Sequence, residues 1–92
     1  MDTQVSRQVL IINKLGLHAR AASKLAQLSQ KFTAKVTIEL NENSADANSI
    51  MGLMLLAGAQ GKTVNVIASG KDAKIALEEI CQLFSNKFHE TE

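Results

Sequence analysis

At Gly16 the alternation of apolar and polar residues gives way to a helical period, and this change limits what the chain can become. Residues 5–12 are rich in β-branched side chains, with Val9 and Ile11 facing one side and Leu10 and Ile12 the other. That is a strand, ended by the turn residues 13–16. Over residues 19–30 the spacing is helical: Ala21, Ala22, Leu25, Leu28 and Phe32 share one face, and Arg20, Ser23, Lys24, Gln27 and Lys31 the other. Val36, Ile38 and Leu40 then alternate with Lys35, Thr37 and Glu39, a half-buried second strand. A turn at 41–43 leads to a short third strand over 44–47. Asn48 or Ser49 caps a second helix over 50–57, which Gly58 and Gly61 stop. Residues 63–68 form a fourth strand with Val64, Val66 and Ala68 inward. Ser69 and Gly70 turn the chain into a third helix over 71–86, with Ala73, Ala76, Leu77, Ile80, Leu83 and Phe84 on its apolar face. The polar tail, 87–92, is expected to fray.

The order is β-α-β-β-α-β-α in 92 residues, and it predicts a single α+β domain spanning 1–92, with helices on one face of an antiparallel sheet. Composition narrows the function. A net charge of +1 and three aromatics, Phe32, Phe84 and Phe88, offer little to nucleic acid. The lone Cys81 cannot form an internal disulfide and is expected to be a half-buried packing residue. Neither a signal peptide nor a membrane span is apparent, so a cytoplasmic location is expected, with no membrane insertion. His18 and His89 lack metal-ligand spacing, Asp46 and Asp72 read as turn and cap residues, and no glycine builds a nucleotide-binding motif. No metal and no cofactor are expected.

His18 stands where the turn ends and the first helix begins, with Arg20 two residues on. The amides at a helix start are unpaired and the helix dipole is positive there, so such a place takes phosphate readily. Taken alone, His18 reads either as a structural cap or loop residue or as a nucleophile. Imidazole suits a group that must accept and release phosphate, being nucleophilic when neutral, with an unperturbed pKa of about 6.5. Phosphoryl transfer needs mainly positioning and charge stabilisation, which the amides of Ala19 and Arg20 and the Arg20 guanidinium can supply.

Gly16-Leu17-His18-Ala19-Arg20-Ala21-Ala22, its place after the first strand, and the downstream Ala47-Asn48-Ser49-Ile50-Met51 together resemble the HPr family. These are the histidine phosphocarriers of the bacterial phosphoenolpyruvate-dependent phosphotransferase system. The resemblance covers nearly the whole chain. The run from Asn13 to Arg20 and the ending around Leu83-Phe84-Ser85-Asn86 look most like the nitrogen-related branch, NPr. The resemblance implies an open-faced β-sandwich, a four-stranded antiparallel sheet under three helices. It implies that His18 carries phosphate on Nδ1 with Arg20 beside it, that enzyme I or its nitrogen-branch counterpart is the donor, and that an enzyme IIA protein is the acceptor. Such a protein is a link in a relay, expected to be a monomer, and forms a phosphohistidine rather than acting as an independent enzyme. Ser49 aligns with a serine that a regulatory kinase phosphorylates in some members; its other reading is a plain helix cap. The family usually has proline where this chain has Ala21, and alanine is expected to leave the helix start intact.

The second helix is apolar most of the way round, through Ile50, Met51, Leu53, Met54, Leu55 and Leu56. So short a helix cannot bury all of them, which predicts a partner-binding patch of Leu17, Ile50, Met51, Met54 and Leu55 beside His18; the alternative is extra core. Two other functions fit the element order: a ferredoxin-like small-molecule regulatory domain without phosphorylation, and a plain interaction module using the second helix alone.

Overall fold

The computed structural model describes residues 3–91. Strands β1 (Thr3–Leu10), β2 (Lys35–Leu40), β3 (Asn43–Asp46) and β4 (Thr63–Gly70) form one antiparallel sheet in the order β1-β4-β2-β3. Helices α1 (Ala19–Ser29), α2 (Ile50–Leu55) and α3 (Ala73–Ser85) pack over it. The alternation in the sequence explains which face they cover. Val36, Ile38 and Leu40 of β2 and Val64, Val66 and Ala68 of β4 are buried, and Ile38 is paired with Val66 on one side and Ala45 on the other. On the opposite face Thr37, Glu39, Asn65 and Ile67 stay partly exposed. This is the open-faced α+β sandwich that the sequence predicts.

Small residues let the helices pack closely, α3 on β1 and β4, and α1 against α2 and α3. α1 buries Ala21, Ala22, Leu25 and Ala26, and α3 buries Ala73, Ala76, Leu77, Ile80, Leu83 and Phe84. Each large apolar side chain removed from water contributes about 1.5–3 kcal/mol. Cys81 is buried in the same stripe rather than half-buried, and desolvation pushes its thiol pKa up.

Several element ends move from where the pattern puts them. β1 stops at Leu10, paired with Thr63, and Ile11 turns its side chain fully into the core while its backbone bonds to Gly61 and Lys62. β3 begins one residue early. β4 runs on to Gly70 because Ser69 and Gly70 pair with Gln4 and Thr3. α2 ends at Leu55, before the expected glycine stop, because Ala57 takes a left-handed conformation (φ 55°) that turns the chain. α3 starts at Ala73 and ends at Ser85, and Asp72 does not cap it with its side chain. Its carboxylate instead accepts from the amides of Thr33 and Ala34, at 3.0 and 2.8 Å, and from the Thr33 hydroxyl. Asp72 thus ties the start of α3 to the chain entering β2.

The largest departure is the tail. Residues 87–89 form a short 3-10 turn after α3, and Phe88 is fully buried with its ring edge-on to Phe84 at 4.9 Å. Lys87, Phe88 and His89 all have positive φ, between 54° and 63°. Left-handed backbone costs non-glycine residues about 1–2 kcal/mol each, so the tail persists only because other contacts hold it. Those contacts are the buried Phe88 ring, a 2.6 Å hydrogen bond from Lys24 Nζ to the Phe88 carbonyl, and Glu90, which returns to the start of α1. Polar composition suggested fraying, and one phenylalanine among polar residues outweighs it.

The Asp72 bonds carry a pH signature. The Thr33 amide does most to hold the Asp72 carboxyl below its ordinary value of 3.8, with the Ala34 amide and Thr33 hydroxyl adding and desolvation opposing. A carboxyl with a depressed folded-state pKa stabilises the fold above its unfolded value, and the contribution is lost as pH falls through the folded value. Asp72→Asn should therefore lower the urea midpoint at pH 7. The gap between variant and wild type should narrow below pH 4, measured by denaturation at both pH values.

Candidate functional site

The loop between β1 and α1 is held by close backbone contact with the chain leaving α2. The Leu17 amide donates to the Gly58 carbonyl at 2.8 Å. Gly16 has φ +63°, and a Cβ there would lie 2.1 Å from the Gly58 oxygen. A Cβ on Gly58 would lie 2.9 Å from the side chains of Ile11 and Leu17. Glycine at both positions allows the approach. Asn13 is fully buried beneath this loop and donates from Nδ2 to the Gly16 carbonyl at 2.8 Å.

The loop delivers His18 as the N-cap residue of α1, in extended backbone conformation (φ −77°, ψ 179°). Its Nδ1 accepts from the Arg20 amide at 3.2 Å, as an N-cap side chain accepts from the second helical residue. Its carbonyl accepts from the Ala22 amide at 2.8 Å, so the helix ladder begins at His18. The amides of Ala19, Arg20 and Ala21 precede that ladder and have no partner within the helix. Ala21, where proline is usual, is fully buried, and α1 starts at Ala19 as expected.

The other ring nitrogen, Nε2, hydrogen-bonds to Glu90 Oε2, and Glu90 Oε1 accepts from Asn13 Nδ2 at 3.1 Å. Desolvation works against ionisation of Glu90, but the hydrogen bonds from His18 and Asn13 outweigh it and hold the carboxyl below its ordinary value. An ionised carboxylate only accepts, so Nε2 is the protonated nitrogen. Nδ1 then carries the lone pair. The His18 side chain keeps a quarter of its surface exposed, and it sits in an open depression bordered by the cations Lys14, Arg20 and Lys24 and by His89. A nucleophilic nitrogen, helix-start amides and positive charge therefore meet at one point. Among the described residues, no group of three His, Cys, Asp or Glu side chains is placed to hold a metal ion.

The remaining expected site residues divide. Arg20 is exposed and borders the depression. Ile50, Met51, Met54 and Leu55 are all exposed, Met51 and Leu55 most of all, while Leu53 and Leu56 enter the core. Leu17 does not belong with the exposed group. It is only 4% exposed and packs inward under the loop, because its amide is turned to Gly58. The exposed leucine of the loop is Leu15, at 67%, and it borders the depression with His18. The choice of cap for α2 falls on Ser49, whose Oγ accepts from the Gly52 amide at 3.0 Å, while Asn48 Oδ1 takes the Ser29 hydroxyl at 2.6 Å. His89 is exposed, as expected. Glu90 and Asn13 were missed as site residues, and Phe88 was the available signal: an aromatic anchor that returns the tail to the domain.

The family model described as the PTS HPr component phosphorylation site matches residues 5–86. The chain belongs to the HPr family. It is 50% identical to the phosphocarrier protein NPr of Shewanella violacea, over 96% of this chain and 97% of that one. It is 44% identical to the phosphocarrier protein HPr of Cupriavidus necator, over 96% and 99%. The crystal structure of an HPr from Thermoanaerobacter tengcongensis superposes with a TM-score of 0.91 at 35% identity, covering 96% of this chain and 99% of that one. The similarity thus extends to relatives named NPr and to relatives named HPr. It supports a phosphocarrier role in the phosphotransferase system. The ferredoxin-like regulatory domain does not stand, because the solved structures matched are HPr-family proteins.

Proposed function

We propose that this HPr-family chain works as one phosphocarrier domain that accepts a phosphoryl group on His18 Nδ1 from an enzyme I-type donor and passes it to an enzyme IIA-type acceptor. The observation that carries the reading is the N-cap placement of His18, with the lone pair of Nδ1 directed at the Arg20 amide. Once Nδ1 bonds to phosphorus its lone pair no longer accepts, which releases that amide to a phosphoryl oxygen. The Ala19 and Arg20 amides and the Arg20 guanidinium then face the developing charge. The 50% identity to an NPr favours the nitrogen-related branch over sugar transport. The site draws Asn13, His18, Arg20 and Glu90 from one chain, which supports a monomer as the working form. No helix of the described residues is long and apolar enough to cross a membrane, which fits a carrier that diffuses between cytoplasmic partners.

The test is direct. Incubation with enzyme I and phosphoenolpyruvate should add one acid-labile phosphoryl group by mass spectrometry. His18→Ala should abolish the gain and His89→Ala should leave it intact; a fully phosphorylated His18→Ala protein would contradict the assignment. In the same assay Arg20→Ala should slow transfer by roughly ten- to a hundredfold, the loss of a charge-assisted contact worth about 1.5–3 kcal/mol. An unchanged rate would make Arg20 a bystander.

The exposed apolar face of α2 is the proposed docking surface, with Leu15 replacing Leu17 as the loop's contribution. Methionine adapts to more than one partner, which suits a carrier meeting a donor and an acceptor in turn. A carboxylate placed there is desolvated on docking. Met51→Glu should therefore raise the KM for enzyme I strongly while leaving the melting temperature nearly unchanged, since Met51 is 74% exposed. Normal kinetics in a stable variant would remove α2 from the interface.

A further inference from the structure

The nitrogen of His18 that takes no phosphate has a built partner, and its construction is extensive. Glu90 lies 72 residues along the chain from His18, and its side chain is 13% exposed. Both its oxygens are engaged, one by His18 Nε2 and one by the fully buried Asn13, whose second N–H holds the Gly16 carbonyl. The carboxylate and the loop that carries His18 are therefore fixed to one another. The tail is brought there through three consecutive left-handed residues, anchored by Phe88 and by Lys24. A frayed tail would avoid that strain, so the placement of Glu90 is maintained by the fold rather than incidental. Among the described residues, the other charged or titratable groups bordering the depression are Lys14, Arg20, Lys24 and His89, and Glu90 is the one carboxylate.

We infer that Glu90 is a positioning residue for phosphoryl transfer, which keeps the proton on His18 Nε2 through the whole cycle. This rests on His18 being the phosphorylated residue. In the charging step the lone pair of Nδ1 forms the N–P bond, and the bond from phosphorus to the donor breaks, its electron pair remaining on the donor. No proton moves. The His18 ring becomes cationic, with its Nε2–H still directed at the Glu90 carboxylate, which stabilises the charge. In the discharge step the P–Nδ1 bond breaks, its pair returns to Nδ1, and neutral imidazole leaves. If Nε2 lost its proton in between, the leaving group would be an imidazolate, which leaves far less readily. Glu90 thus extends to higher pH the range over which the charged carrier can discharge, while keeping Nδ1 unprotonated in the uncharged one.

The variant that isolates this role is Glu90→Gln, which keeps the shape and a hydrogen-bond acceptor but removes the charge. Wild type and variant are charged with enzyme I and phosphoenolpyruvate and isolated. Discharge is then followed to dephosphorylated enzyme I, with pyruvate as the final acceptor, at pH 6 and pH 8. Taking the ratio of variant to wild type cancels the pH dependence of enzyme I itself. The expected result is a loss at pH 8 at least tenfold greater than the loss at pH 6. An equal loss at both pH values, or no loss at either, overturns the inference, since a merely structural contact would not select for pH. Failure of the wild type to charge at all would instead overturn the proposed function, and the inference with it.

Discussion

The Leu17 amide bonded to the Gly58 carbonyl sets where the chemistry stands. That 2.8 Å contact pins the loop after β1 against the chain leaving α2, and it needs glycine at position 16, where a Cβ would lie 2.1 Å from the Gly58 oxygen. From it follows the extended backbone at His18, the start of α1 one residue later, and the presentation of an imidazole at the positive end of a helix. It also draws the loop beside the turn that ends α2. The sheet beneath is a platform for this arrangement, and α1, with its alanines buried, packs beside α2 and α3 above it.

The electrostatics of the site are asymmetric in a way that suits a carrier. One ring nitrogen faces backbone amides and cations, where a phosphoryl group is favoured; the other faces a carboxylate, where a ring proton is favoured. A phosphocarrier must neither hold its cargo too tightly nor refuse it. In the proposed cycle, splitting the two demands between the two nitrogens lets the ring accept positive charge on charging and lose it on discharge, without moving a proton. The exposed apolar face of α2 is the surface proposed to meet donor and acceptor in turn.

Much of this was legible in the sequence because it is written in local spacing. Period-two alternation located β2 and β4, and helical periodicity located α1 and α3, with shifts only at their ends. The dense motif from Gly16 to Ala22 marked His18 and Arg20. Two kinds of information were not local. Leu17 reads as an exposed loop leucine until the Gly58 contact turns it inward, leaving Leu15 outside. Residues 87–90 read as a polar tail, and their role depends on Phe88 finding the pocket beside Phe84 and on Glu90 reaching Asn13 and His18. Asp72 fell between the two: it stands at the expected cap position, but its carboxylate serves residues 33 and 34 rather than its own helix.

In the proposed cycle the fold assigns different tasks to the two nitrogens of His18 before any phosphate arrives. Long-range 15N–1H NMR of the uncharged protein, with histidine labelled, reads this directly at a pH where the ring is neutral. The expected result is the Nε2–H tautomer of His18, with Nδ1 unprotonated. A predominant Nδ1–H tautomer would contradict it, because the nitrogen meant to attack phosphorus would have no lone pair to offer.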